Sequence, residues 1–150
     1  MALLRDADRE ELTTLFSSRL EHPVTIHFYT QHDSPLVLPI QECQTCRETG
    51  ELLAEIAALS PRLTVQRHDF VAEAEQARAL GVDHIPAIVL EGKVRGRLRY
   101  FGVPAGYEFA VLIGGLIDAS RGTTALAPGT REQLAQLPGP VHLKVLVTPT

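Results

Sequence analysis

The stretch that decides the fold is residues 42–59, Glu42-Cys43-Gln44-Thr45-Cys46-Arg47-Glu48-Thr49-Gly50-Glu51-Leu52-Leu53-Ala54-Glu55-Ile56-Ala57-Ala58-Leu59. Thr49, Leu52, Leu53, Ile56 and Leu59 recur at the spacing of one helical face, so a helix opens at or near Cys43 and runs until Pro61 stops it. A helix that begins at Cys43 brings Cys46 round to the same side one turn later, where the two sulfurs meet without backbone rearrangement. The pair can therefore open and close reversibly. At the helix start Cys43 faces unpaired N–H groups and the positive end of the helix dipole, both of which favour its thiolate. Cys46, inside the first turn, is the less exposed of the two. That asymmetry makes Cys43 the attacking thiolate and Cys46 the resolving thiol. Glu42 opposes thiolate formation if its carboxylate turns inward, and Arg47 can offset it.

Working outward, Val24, Ile26 and Phe28 alternate with Thr25, His27 and Tyr29, the period of a strand with two different faces. Ahead of it, Leu12, Leu15, Phe16 and Leu20 make one stripe of an amphipathic helix over roughly residues 6–20. Gln31 to Gln41, with Pro35 and Pro39, reads as a loop. Leu63 to Asp69 reads as a strand, and Ala72 to Leu80 as a short helix closed by Gly81 at positive φ. Ala87-Ile88-Val89-Leu90 is an unbroken apolar run of the kind that fills a strand covered on both faces. A turn through Glu91-Gly92-Lys93 and Gly96 joins it to Arg97–Phe101 as an antiparallel hairpin. The last helix starts near Pro104, buries Phe109, Leu112, Ile113, Leu116 and Ile117, and ends at Arg121-Gly122. The order is a leading helix followed by βαβαββα.

The 150 residues, with 45% apolar and 21% charged side chains, suffice for a packed core and exclude a disordered chain. The apolar run Phe109–Ile117 is too short to span a bilayer, and Arg5, Asp6, Asp8, Arg9 and Glu10 stand where a secretory signal needs apolar residues. The expected compartment is the cytoplasm, with no membrane partner. Fourteen basic against eighteen acidic residues give a charge of −4 and no clustered positive footprint for nucleic acid. The run from Lys93 to Arg99 puts Arg95, Arg97 and Arg99 at period two, as on a solvated strand that resists edge pairing.

Both cysteines of the chain lie in the CxxC, and in a reducing compartment such a pair is catalytic or metal-binding rather than structural. A zinc site needs two further ligands, for which His32 and His84 are the candidates, but their spacing matches no zinc pattern and no metal is expected. An inert surface pair is the remaining alternative. His22, His27, His68 and His142 read as solvent-facing strand or loop residues.

Past Gly122 the order begins again. Arg131–Leu137 echoes Arg9–Leu15, and Pro140–Val145 echoes Pro23–Phe28, which suggests an internal duplication. Residues 1–122 then form one domain, and residues 123–150 the leading helix and first strand of a second, incomplete unit. Val141, Leu143, Val145 and Val147 alternate on one face of that strand, which is expected to dock on its own domain or on a second chain as a homodimer.

A CxxC at a helix start after the first strand, followed by Ile85-Pro86 just before a buried strand, resembles the thioredoxin superfamily. Within it, Val82–Ile88 and the segment Phe101-Gly102-Val103-Pro104-Ala105-Gly106-Tyr107-Glu108-Phe109 are similar to the N-terminal unit of tandem protein disulfide oxidoreductases, also called glutaredoxin-like proteins. A more distant similarity is to the N-terminal domain of the flavoprotein component of alkyl hydroperoxide reductase. The resemblance implies a thioredoxin-like α/β fold, a mixed sheet flanked by helices, with a C-terminal helix–strand extension. It implies that the Ile85–Pro86 bond is cis, that Ile85 and Pro86 form the substrate platform, and that Gln44 and Thr45 meet the substrate beside them. The implied activity is cofactor-free thiol–disulfide exchange on protein disulfides, a peroxiredoxin among them, renewed by an upstream thiol or flavoprotein reductase. A redox-slow binding or scaffold module is the second reading.

Three features depart from the family. The loop Gln31–Gln41 is long, and Gln44-Thr45 leaves the reduction potential open. In the tandem proteins a second CxxC follows the strand that Val141–Val147 resembles, where Thr148-Pro149-Thr150 stands here.

Overall fold

Val24–Thr30 forms strand β1, and in the computed structural model, which describes residues 3–31, 42–94 and 96–146, every residue of it except Thr25 is buried. It lies inside a four-stranded mixed sheet with β2 (Leu63–Asp69), β3 (Ala87–Glu91) and β4 (Leu98–Phe101) in the order β2-β1-β3-β4. β1 runs parallel to β2, with Val24 beside Leu63 and Thr30 beside Asp69. It runs antiparallel to β3, with Thr25 opposite Glu91 and Tyr29 opposite Ala87, and β3–β4 is the expected hairpin.

These registers sort the side chains. Val24, Ile26 and Phe28, with Leu63, Val65, Ile88 and Leu90, face the larger core under α1 (Asp6–Arg19), α2 (Cys46–Ala58) and α4 (Tyr107–Arg121). Tyr29, Ala87 and Val89 face a smaller core closed by Ala77 of α3 (Ala74–Ala79) and by Val82. α2 buries Thr49, Leu52, Leu53 and Ile56, the face read from the sequence, and each fully buried aliphatic contributes about 1.5–3 kcal/mol. Gly50 allows the close approach of α2 to β1, since a Cβ there would press on the Phe28 ring.

Two helix starts differ from the sequence reading. α2 begins at Cys46, because Cys43 to Thr45 form a turn that leads into it and close it with a Cys46 N–H to Cys43 carbonyl bond of 3.3 Å. α4 begins at Tyr107, because the chain turns through 103–106: Ala105 N–H bonds the Val103 carbonyl, and Gly106 adopts a φ of 59°. Pro104 is buried in that turn and precedes the helix. The helix ends as read, with Gly122 at a φ of 65°, and Gly81 after α3 has a φ of 74°.

His27 and His68 correct a third reading. Both are 9% exposed, not solvent-facing, because the second face of β1 is covered and each imidazole finds polar partners there. The C-terminal segment is the fourth correction. Helix α5 (Pro128–Ala135) forms with Pro128 in its first turn, but none of its residues is buried. Residues 141–146 form no strand and do not dock on the domain; Val141, Leu143 and Val145 are 70%, 82% and 73% exposed. A strand needs a partner for its backbone donors and acceptors, and among the described residues this segment has none. The described part of the 31–41 loop is Gln31 alone, and Arg95 and residues 147–150 also lie outside the described residues.

Two polar clasps close the body. The fully buried Ser120 hydroxyl at the end of α4 accepts from Glu21 N–H and His22 N–H, both at 2.9 Å, and donates to the His22 carbonyl at 2.6 Å. Ser120→Ala should lower the unfolding free energy by about 2 kcal/mol in urea denaturation, since two backbone donors lose their acceptor; a loss of about 0.5 kcal/mol or less would show the clasp to be dispensable. Glu55 on α2 accepts from Leu3 N–H at 2.7 Å, Leu4 N–H at 3.1 Å and Arg9 Nη2 at 2.5 Å. The Leu3 N–H is the chief cause that holds this carboxyl below the ordinary range, against the opposing effect of burial. Its stabilisation is therefore present above the unfolded pKa and lost as pH falls through the lowered one. Glu55→Gln should cost about 1–2 kcal/mol at pH 7, and the difference from wild type should vanish in acid; a deficit that persists at low pH would contradict the carboxylate clasp.

Candidate functional site

β1 delivers the chain to the site. One residue past its end, the Gln31 side-chain carbonyl accepts the Cys43 backbone N–H at 2.5 Å, so the two ends of the 31–43 excursion are tied together. From Cys43 the turn enters α2, where Thr49 N–H and Thr49 Oγ1 both bond the Thr45 carbonyl, at 3.0 and 2.8 Å. Cys43 and Cys46 are joined by a disulfide, with their Cα atoms 5.4 Å apart. Cys46 is 5% exposed and lies on the core side of the first helical residue, whereas Cys43 is half-buried and lies outside the helix. The exposure difference is the one read from the helical spacing. Because α2 starts at Cys46, Cys43 stands off the helix end, on the side from which the unpaired N–H groups of the first turn are approached.

The antiparallel register brings the second half of the site to the same place. Tyr29 is opposite Ala87, the first residue of β3, so Ile85 and Pro86 enter the sheet at the end of β1 from which Gln31 leads on to Cys43. The Ile85–Pro86 peptide bond is cis, as the resemblance implied. Pro86 is buried, its carbonyl accepts the Gly102 N–H at 2.9 Å, and Ile85 is half-buried. Gln44, Thr45 and Glu42 are exposed at the turn. Arg47 is also exposed and reaches along α2 to Glu51 at 3.5 Å. Sequence, turn and sheet thus bring Cys43, Cys46, Ile85 and Pro86 to one end of the sheet.

His84, a zinc-ligand candidate by residue type, bonds Asp83 Oδ1 at 2.5 Å and stacks on Phe101 with ring centres 4.2 Å apart. His32 lies outside the described residues, and among those described no group of three or more His, Cys, Asp or Glu is placed to hold a metal ion. A groove of about 720 Å³ between α1 and α4 is lined by Leu12, Leu52, Phe109 and Ile113, and by neither cysteine nor Pro86. Gln31 is the residue that sequence reasoning passed over: it read as the first residue of a loop, and only the closing of that loop onto β1 shows its bond to Cys43.

No family model and no curated protein matches the chain. Among solved structures, the alkylhydroperoxide reductase AhpF of Enterococcus faecalis aligns over 91% of this chain and 62% of its own, at 17% identity and a TM-score of 0.73. A protein disulfide oxidoreductase from Aeropyrum pernix aligns over 93% of this chain and 57% of its own, at 23% identity and a TM-score of 0.72. The NTD_N/C domain of AhpF from Enterococcus faecalis aligns over 90% of this chain and 61% of its own, at 18% identity and a TM-score of 0.71. The chain therefore spans about three-fifths of the length of these structures. At these identities the likeness shows the fold alone, a thioredoxin-like α/β fold with a mixed four-stranded sheet flanked by helices.

Gln31→Ala removes the acceptor that pins Cys43 and should speed exchange of the Cys43 amide hydrogen roughly fivefold, the equivalent of about 1 kcal/mol for one hydrogen bond. Gln31→Glu keeps an acceptor and should leave that exchange near the wild-type rate. Equal protection in wild type and Gln31→Ala would show that the tie does not hold the turn.

Proposed function

We propose that this protein is a thiol–disulfide oxidoreductase that acts on protein disulfides. The observation that carries the reading is the Cys43–Cys46 disulfide at the N-terminus of α2, with Cys43 the accessible sulfur and Cys46 the covered one. In the reduced protein, the Cys43 thiolate attacks one sulfur of a substrate disulfide and forms a mixed disulfide; the sulfur that leaves takes a proton. The Cys46 thiolate then attacks Cys43 Sγ, restoring the protein disulfide and releasing the second substrate thiol. Two electrons and two protons pass to the substrate, and an external dithiol or a flavoprotein reductase returns the chain to its reduced form.

Local electrostatics support this division of labour. The unpaired N–H groups and dipole at the start of α2 favour negative charge on Cys43. The exposed Glu42 carboxylate next to it opposes that charge, and Arg47 is engaged with Glu51. Ile85 and Pro86, at the entry to β3, offer a cis bond without an N–H at the proline, along which a substrate chain can lie. Gln44 and Thr45 border the same surface. The exposure of Gln44 and Thr45 beside the half-buried Cys43 suits a disulfide carried on another protein, and a peroxiredoxin is one such substrate. The chemistry needs no cofactor and fits a reducing compartment such as the cytoplasm.

Cys46→Ser tests the reading. The variant should accumulate a reducible mixed disulfide through Cys43 when mixed with oxidised insulin or an oxidised peroxiredoxin, seen as a mass adduct. Cys43→Ser should form none and should lose at least a hundredfold in turnover. A Cys43→Ser protein that reduces insulin at the wild-type rate would overturn the assignment.

A further inference from the structure

The face of the sheet under α3 carries a polar chain that thiol chemistry does not use. Thr25, His27 and Tyr29 of β1 share this face with Gln66 and His68 of β2 and with Val89 and Glu91 of β3. Glu91 Oε2 lies 2.7 Å from His27 Nε2, His27 Nδ1 lies 3.0 Å from His68 Nε2, and His68 Nδ1 lies 2.7 Å from Glu73 Oε2. Glu73 Oε1 in turn accepts the Asp69 N–H at 3.1 Å. Four side chains from β3, β1, β2 and the start of α3 thus form one line, and both imidazoles are buried.

The two ends of that line fix where its protons sit. Each ionised carboxylate only accepts, so His27 must donate from Nε2 to Glu91, and His68 from Nδ1 to Glu73. Those two protons are all that two neutral imidazoles possess. His27 Nδ1 and His68 Nε2 would then face each other at 3.0 Å with a lone pair on each, a repulsive contact in a buried place. The ring centres are 5.2 Å apart, close to the most that the 3.0 Å nitrogen gap allows, so the two nitrogens lie between the rings, which meet end to end. A metal ion bound in line between them needs roughly 4 Å between the nitrogens, two bonds of about 2.0 Å each. The 3.0 Å gap is the length of a hydrogen bond instead.

The charged surroundings are consistent with a cation here. Glu91 and Glu73 contact the pair directly, and Asp69 sits behind Glu73. His68 is the chief cause that holds the Glu73 carboxyl below its ordinary range. Tyr29 stacks on His68 with ring centres 4.7 Å apart, and burial, with Glu73, raises its hydroxyl and keeps it neutral. On β4, Arg99 shares this face opposite Val89, but its guanidinium donates to the Leu80 carbonyl, and that of Arg97 to the Ala79 carbonyl, at the far end of α3. On α3 itself Glu75 and Arg78 are not among the buried residues, and only Ala77 is buried.

We propose that His27 and His68 form a buried proton-binding site in which one proton is shared end to end between the rings, so that the pair takes up one proton where two independent histidines take up two. The pair reaches α3 through His68, whose Nδ1–H donates to Glu73, the N-cap residue of that helix. α3 in turn sets the turn that carries Ile85 and Pro86, through the Val82 N–H to Ala77 carbonyl bond of 2.8 Å. Loss of the proton leaves two lone pairs in contact. The sign follows from linkage. Unfolded histidines bind protons below about pH 6.5, so in acid the unfolded chain holds two and the native pair one, and stability falls as pH drops. Above that range the native pair alone holds a proton, and its contribution fades as pH rises through the loss of that proton.

Histidine side-chain nitrogen NMR on the full chain between pH 5.5 and 9.5 tests the site. His27 and His68 should titrate together with one midpoint and a combined uptake of one proton. Two separate one-proton titrations would overturn the proposal, as would two neutral rings throughout the range. Glu91→Gln, at a side chain 73% exposed and safe for folding, should move the common midpoint at least half a pH unit lower; an unmoved midpoint would equally contradict the shared proton. The result does not depend on the thiol chemistry, since it is read identically in a Cys43→Ser, Cys46→Ser double variant.

Discussion

The structure depends on β1 being paired on both edges, parallel to β2 and antiparallel to β3. The parallel pairing requires a crossover, and α2 is that crossover, so its N-terminus with the two cysteines must follow the end of β1. The antiparallel pairing runs β3 the other way, so the residues that enter β3, Ile85 and Pro86, arrive at the same end. Two segments about forty residues apart in sequence are thereby brought to one place by the sheet itself. Gln31 completes the arrangement by tying the last residue of the β1 path to Cys43.

Much of this was legible in the residues. The helical stripe Leu52, Leu53 and Ile56, the apolar run Ala87–Leu90 and the glycines after α3 and α4 each carry a local signal strong enough to survive packing. Helix starts were less legible. The 3.6-residue period marks a face and not an end, and the turns at Cys43–Thr45 and 103–106 are set by backbone bonds that no side-chain pattern announces. Residues 141–146 differ from the strand reading for a related reason. A helix can form from its own bonds, as α5 does, whereas a strand exists only with a neighbour, and alternating valines and leucines supply none.

The histidines mark the limit of reading one strand at a time. His27 sits at a polar position of an alternating strand, which suggests solvent, and His68 follows a polar stretch. Only the register reveals that they lie on neighbouring strands, diagonal to one another, with a carboxylate at each outer nitrogen. Burying such groups is costly unless every donor and acceptor is matched, and here the matching extends across three strands into α3. Ser120 is a smaller case of the same kind: one hydroxyl in an apolar helix face satisfies three backbone groups of a distant turn.

Both halves of the molecule then have a task. The α2 side carries the Cys43–Cys46 disulfide, and the α3 side bonds the turn that leads to Ile85 and Pro86. The most direct measurement of the central claim is the reduction potential of the Cys43–Cys46 pair, read by thiol alkylation and mass after equilibration in glutathione buffers. The account predicts a single two-electron transition between about −270 and −120 mV, the range of disulfide oxidoreductases. A pair that stays oxidised below about −300 mV, as structural disulfides do, would contradict it.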